Sequence, residues 1–151
     1  MLPAKKIESH RDLLVWQKAM DLAVCVYELS RKFPSSEIYR LVAQMTRSVA
    51  SVPANIAEGH ARPTSRDYSH FLGIAKGSLM ETETFVMLSV RLGYASQVEA
   101  QPVLALITEI SKMLTILRSR LGKLCCNLSP VPCNLIPAGS SCLNLFSHPI
   151  C

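Results

Sequence analysis

Four stretches of this 151-residue chain carry apolar residues at alternating spacings of three and four, which is the period of an amphipathic helix. No stretch alternates apolar and polar residues for long, and no Asn-Gly or Asp-Gly pair is present to close a β-hairpin. These patterns predict an all-α fold. Because the breaks at 33–36, 59–64 and 93–96 are short, consecutive helices are expected to run antiparallel, as an up-down-up-down four-helix bundle.

The first predicted helix runs from about Asp12, its expected N-terminal acid, to Lys32. It ends there because Phe33 precedes a proline, which disfavours helical backbone at Phe33. Two overlapping repeats describe its apolar side. The predicted face is Leu13, Trp16, Met20, Ala23 and Tyr27, widened by Ala19, Leu22, Val26 and Leu29.

The second predicted helix begins near Ser35 and ends at Glu58-Gly59, where Gly59 is able to adopt a positive φ. Pro53 lies within it and lacks an amide hydrogen, so a kink is predicted between Val49 and Pro53. Asn55 is expected to bond to carbonyl oxygens that the kink frees. The predicted apolar stripe is Ile38, Leu41, Met45, Val49, Val52 and Ile56.

The third predicted helix opens with Thr64-x-x-Asp67, which resembles a capping box, and Gly93 is its predicted stop. Gly73 and Gly77 within it are expected to allow close approach of a neighbouring helix. Two apolar stripes predict burial on two sides, as in an oligomer or the centre of a bundle. The stripes are Tyr68, Leu72, Ala75, Leu79, Val86 and Val90, and then Phe71, Ile74, Phe85, Leu88 and Leu92.

The fourth predicted helix starts with the capping box Ser96-x-x-Glu99, tolerates Pro102 near its start, and ends at Gly122. Its predicted face is Val103, Leu106, Ile110, Met113, Leu117 and Leu121, with Leu104, Ile107 and Leu114 beside it.

The charged residues divide the chain. All 16 Lys and Arg and all 11 Asp and Glu lie between Lys5 and Lys123, and residues 124–151 hold five of the six cysteines. We therefore predict an N-terminal arm at 1–10, a helical domain at 11–123, and an irregular, disordered tail at 124–151. The tail cysteines form no Cys-x-x-Cys pair, so reduced thiols are expected there, with a metal or disulfide role as the alternative.

The N-terminus has no apolar segment typical of a secretory signal, and no uninterrupted apolar run approaches the roughly 20 residues that span a bilayer. These absences predict a cytoplasmic protein without a membrane partner. The net charge of +5 favours anionic partners, nucleic acid above all, although such an excess also serves solubility alone.

Four strings in this order and spacing resemble the small four-helix-bundle proteins encoded within intervening sequences of bacterial 23S ribosomal RNA genes. The resemblance covers about residues 10–123. The strings are LVWQKA at 14–19, SVPANIAEG at 51–59, FLGIAKGSLxExE at 71–83 and RLGY at 91–94, with Arg62 after the second.

This resemblance implies a helical bundle that assembles as a homopentamer, with no established enzymatic activity. It also implies a relationship to the accessory protein of diversity-generating retroelements, a basic pentamer that binds nucleic acid and reverse transcriptase. A reverse transcriptase is therefore an expected partner by remote analogy. The tail lies outside the family pattern.

Basic residues on the second and third helices are the candidate nucleic-acid contacts. Arg40, Gln44, Arg47 and Ser51 share the side of helix two expected to lie opposite its apolar stripe. Lys and Arg bind phosphates without reading sequence, and an oligomer would repeat each contact. The alternative is an ordinary solvated helix face. The predicted contacts with RNA or DNA are Arg40, Arg47, Arg62, Arg66, Lys76 and Arg91.

Other chemistry has weaker support in the sequence. A di-iron bundle would need two Glu-x-x-His pairs, whereas the chain has none, so no metal, cofactor or catalytic residue is predicted. Glu58 or Glu81 is expected instead to pair with an arginine such as Arg47 or Arg62. Trp16 and Cys25 are expected in the core. A protein-interaction scaffold without nucleic-acid contact remains the second hypothesis, and an enzyme with a carboxylate or metal site the third.

Overall fold

The computed structural model describes residues 8–127, with the side chains described as far as Gly122. Within this part of the chain there are four long helices and no strand, which confirms the all-α four-helix prediction. The predicted arm up to Ile7 and the predicted tail from Leu128 onward lie outside the described residues. The helices are α1 (Leu14–Ser30), α2 (Ala43–His60), α3 (Ser65–Arg91) and α4 (Gln97–Asn127).

The helices pack in a ring, in which α2 and α4 each lie against both α1 and α3. For two pairs of neighbouring helices, the contacting residues run in opposite order along the two helices. Lys18 of α1 reaches Glu109 of α4, and Lys32, in the turn that follows α1, reaches Glu99. Ser48 and Ser51 of α2 bond to Thr82 and Ser78 of α3. These pairings are those expected of antiparallel neighbours, and the complete up-down order stays a prediction.

The core forms along the inner sides of all four helices. On α1 it differs from the predicted face, because Met20 and Tyr27 are exposed and Trp16 is half-buried. The core side is formed instead by the residues that were predicted to widen the face. Their side chains are aliphatic, whereas the Tyr27 hydroxyl would need a hydrogen-bond partner if it were buried. The buried α1 residues are Val15, Ala19, Leu22, Val26, Leu29 and Ser30.

The segment before α2 is also more complex than predicted. A 3-10 turn at Ser35–Glu37 leads into a π-helical turn at Ile38–Val42, and regular α-helix begins only at Ala43. The π turn shifts the register, so Ile38 is exposed although the rest of its predicted stripe is buried. Asp12 likewise does not begin α1, because it completes a capping box with Ser9 around the 3-10 turn His10–Asp12.

Gly59 does not end α2 through a positive φ, since it is buried inside the helix, which continues to His60. Pro53 is buried within the same continuous helix. Asn55 does bond to a carbonyl oxygen, at 2.7 Å, but it is the oxygen of Ser51 rather than that of Val49, which Pro53 deprives of its helical donor.

The capping predictions for α3 and α4 are confirmed. Thr64 accepts from the Asp67 amide at 3.1 Å, and Ser96 exchanges hydrogen bonds with Glu99. Gly93 stops α3 with a φ of +75°, and the Tyr94 amide bonds back to the Ser89 carbonyl at 2.9 Å. Gly122, in contrast, does not terminate α4, which continues to Asn127.

One helix among the described residues, the Gln97–Gly122 part of α4, is long and apolar enough to cross a membrane by length and composition alone. Core helices of other folds pass the same test. Here the inner side of α4 packs into the core through Ala100, Val103, Ile107, Ile110 and Leu114.

Candidate nucleic-acid interface

Two basic side chains, Lys76 and Arg118, each contact the opposite helix where α3 packs against α4. The Lys76 Nζ donates to Thr115 Oγ1 at 2.8 Å, and the Arg118 guanidinium lies 3.5 Å from the position that a Cβ would take on Gly73. The two helices run in opposite directions here. Lys76 follows Gly73 by one turn on α3, whereas its partner Thr115 precedes Arg118 by one turn on α4, so the two contacts lie one turn apart. Neither pairing is visible from local sequence.

The local sequence explains how the two cations are held. Thr115 donates its own hydroxyl to the Ser111 carbonyl at 2.8 Å, which leaves its oxygen oriented to accept from Lys76. Gly73 has no side chain, so the long Arg118 side chain rests against the α3 backbone. Lys76 is thereby half-buried, whereas Arg118 remains exposed.

Two further cations extend the patch. Lys112 is exposed one turn before Thr115, and Arg66 is exposed two turns before Gly73. We name Arg66, Lys76, Lys112 and Arg118 the α3–α4 basic surface. Among residues 8–127, the cations with ion-pair partners described in atomic detail are Lys18, Lys32 and Arg62, none of which belongs to this surface. Its charge is therefore available to an anionic ligand.

The structure separates the remaining predicted contacts from this surface. Arg47 lies on α2 in a cleft of about 280 Å³ that Glu81 of α3 also lines, together with Gln44, Ser48, Ser51 and Ser78. The polar side of α2 thus borders α3, where Ser51 bonds to Ser78, while the Gln44 and Arg47 side chains remain exposed. An acid across the cleft reduces the attraction of Arg47 for phosphate.

Arg62 forms an i,i+4 ion pair with Glu58, which confirms the predicted Glu–Arg pairing, and its guanidinium lies 4.7 Å from the centre of the Phe71 ring. Arg40 lies in the π-helical turn, and Arg91 is the last residue of α3. Both belong to the end of the bundle remote from Arg66. The structure therefore brings only Arg66 and Lys76, of the six predicted contacts, onto one surface.

Sequence reasoning missed Lys112 and Arg118. Their signal was available, since Lys112, Thr115 and Arg118 recur every three residues along the polar side of α4. The predicted contacts were all on the second and third helices and the loop between them, where most of the sequence that resembles the family lies. What the sequence could not supply was the proximity of Arg118 to Gly73, which depends on how α3 and α4 pack.

Other candidate groups occupy structural positions. Trp16 packs edge-on against His10 at 5.2 Å, and Tyr94 packs against Phe33 at 5.8 Å, so both rings contact the protein. Cys25 is a free, half-buried thiol beside the core. Within residues 8–122, whose side chains are described, no three His, Cys, Asp or Glu side chains come together in an arrangement that could hold a metal ion.

Comparison with known proteins agrees with this architecture. Residues 11–116 match the family model described as 23S rRNA-intervening sequence protein. The fold is similar to the crystal structure of a protein of unknown function from the S23 ribosomal protein family of Bacteroides thetaiotaomicron VPI-5482, with 27% identity and a TM-score of 0.62. That match covers 69% of this chain and 98% of the other. No curated protein matches the chain.

Proposed function

Since this chain belongs to the 23S rRNA-intervening sequence protein family, we propose that it is a non-enzymatic, homo-oligomeric bundle that binds RNA through the α3–α4 basic surface. The observation that carries the proposal is that Lys76 and Arg118 both lie where α3 packs against α4, and that neither has an ion-pair partner among the side chains described up to residue 122. Two unpaired cations on one surface can both contact phosphates of one strand, and their electrostatic attractions then add.

The surface has the character of a backbone contact rather than a base reader. Lys76 presents its ammonium beside a hydroxyl, and Gly77 leaves the α3 backbone uncovered next to it. Nothing lies within 4 Å of the position where a Gly77 Cβ would stand, so a ligand can approach closely there. Such contacts bind phosphate and sugar without discriminating bases.

Self-association is supported by apolar residues that the bundle leaves open. Met20, Val24 and Tyr27 lie at i, i+4 and i+7 along one side of α1 and are between 42% and 56% exposed. Ala50 and Ala54 are exposed, uncharged residues of α2, which packs beside α1. We name these five residues the α1–α2 apolar face. In a homo-oligomer, each copy would contribute its own α3–α4 basic surface, so modest contacts would add.

The direct test is RNA binding by charge-reversal variants of the full chain. Lys76→Glu and Arg118→Glu are each expected to weaken binding by about fivefold to tenfold at physiological salt, because each removes a phosphate contact. Arg31→Glu is the matched control, since Arg31 is exposed at the end of α1 and away from the proposed surface. Equal losses in all three variants would show only an effect of net charge.

A protein-interaction scaffold without RNA contact is the second candidate, and the α1–α2 apolar face favours it. Exposed apolar patches of this kind mark protein interaction sites. The scaffold predicts self-association or capture of a protein partner, with RNA binding absent even at low salt. A reverse transcriptase, the partner suggested by remote resemblance, is compatible with the scaffold function as well as with RNA binding.

A further inference from the structure

An open apolar groove runs between α1 and α4, and it shares no residue with the α3–α4 basic surface or the α1–α2 apolar face. It has a volume of about 250 Å³, and its walls include Leu14, Met113, Ile116 and Leu117, with Arg120 at its edge. Leu14 is 57% exposed and Ile116 is 52% exposed. Exposed aliphatic side chains that face one groove gain free energy when another apolar group covers them.

The chain itself supplies a segment that can reach this groove. Ile116 lies 11 residues before Asn127, the last residue of α4, which is about 16 Å along a helix. Residues 128–151 follow and span up to about 80 Å when extended. Pro130 and Pro132 are residue types that disfavour the continuation of an α-helix, because proline has no amide hydrogen to donate.

The composition of this segment matches the groove. Residues 124–151 hold no charged side chain, and Leu143, Leu145, Phe146 and Ile150 are concentrated near the end of the sequence. The other terminal stretch is less suitable, because Lys5 and Lys6 would lie close to Arg120 and repel it. We propose that residues 143–150 dock in the α1–α4 groove of their own chain and cover Leu14 and Ile116.

Native cysteines at both ends of the docking segment provide the test. Cys142 and Cys151 flank it, so a short bismaleimide can link them to a new cysteine in the groove. The variants Leu14→Cys and Ile116→Cys are made separately in the full chain. Ile74→Cys is the control, because Ile74 is 40% exposed and lies on α3 rather than on α1 or α4. It is two residues before Lys76, which bonds to Thr115, so it lies at a similar height along the bundle to Ile116.

The proposal expects intramolecular links to Cys142 or Cys151, mapped by peptide mass spectrometry, at least about fivefold more often from the two groove positions than from position 74. A tethered but undocked segment samples all nearby positions at a similar effective concentration. The added substitution Phe146→Asp is expected to reduce the groove links to the level of the control. Equal yields at all three positions, links between two chains, or yields unchanged by Phe146→Asp would each overturn the proposal.

Discussion

Gly59 of α2 lies directly against Phe71 of α3, and a Cβ on Gly59 would stand 2.8 Å from the Phe71 Cβ and 2.8 Å from the Tyr68 ring. Real Cβ atoms do not approach so closely, so the absence of a side chain at Gly59 is what allows the ends of α2 and α3 to meet. The atom in the way is the Phe71 Cβ, which cannot move without its backbone. The close contact therefore depends on glycine for space and not for backbone conformation.

The variant Gly59→Ala is expected to destabilise the fold. Overpacking typically costs about 1–3 kcal/mol, whereas the gain in helix propensity is at most roughly 1 kcal/mol and is smaller here because Gly59 lies in the last turn of α2. Gly77→Ala is the matched control, because Gly77 also lies inside a helix but has open space around it, and it should stabilise by about 0.5–1 kcal/mol. Urea unfolding of the full chain measures both. Equal stabilisation by the two alanines would show that α2 and α3 do not meet as described.

Tyr68 carries a buried hydroxyl without a hydrogen-bond partner among the described residues, and burial raises the pKa of this phenol. The variant Tyr68→Phe removes the unsatisfied group and keeps the ring that packs against His60 at a centroid distance of 6.0 Å. We expect the free energy of unfolding to rise by about 1 kcal/mol. A loss of stability in thermal unfolding would mean that the hydroxyl has a partner in solution.

Glu99 predicts a pH dependence. Hydrogen bonds from Lys32, from the Ser96 amide and from the Ser96 hydroxyl lower the pKa of Glu99 to about 2, from 4.5 for an unperturbed glutamate. Because the folded-state pKa is the lower one, the stabilisation is present above about pH 4.5 and is lost as the pH falls toward 2. Urea midpoints across this range should fall more steeply for the native chain than for Glu99→Gln. The effect is small, since the carboxylate is exposed, and parallel curves would contradict it.

The α1–α2 apolar face predicts the site of self-association. Val24→Asp places a charge in this face and should weaken association by at least about tenfold, or 1.4 kcal/mol, because the charge must be desolvated at the interface. Val98→Asp, on α4 outside the face, is the control, since Val98 is the more exposed valine. Sedimentation velocity across a concentration series measures the change. Dissociation by Val98→Asp alone would place the interface on α4.

The sequence predicted both ends of α3 and the start of α4, because a capping box or a left-handed glycine acts within one turn. Ser96 with Glu99, and Gly93, are examples. It did not predict the starts of α1 and α2 or the end of α4. The core side of α1 was less predictable, since two overlapping repeats both fit the helical period. Only packing against α2 and α4 selects Leu22 over Met20 for burial.

The candidate interface was only partly predictable for a related reason. Arg66 and Lys76 were identified because they are basic and lie on α3, which carries much of the family resemblance. Arg118 was missed because its role depends on the tertiary contact with Gly73. Arg47 was identified as exposed charge, whereas Glu81 reaches the same cleft from another helix. Spacing along one helix does not report which charges a neighbouring helix will add or oppose.

The most direct test of the central claim is the affinity of the full chain for RNA across a salt series. The account predicts a linear fall of log affinity with log salt, with a slope of about −0.7 for each phosphate contacted on a single strand. Lys76→Glu and Arg118→Glu should each reduce the magnitude of this slope by about 0.7, which is the loss of one phosphate contact. Absence of binding at low salt, or a slope that neither variant changes, would contradict RNA binding through the α3–α4 basic surface.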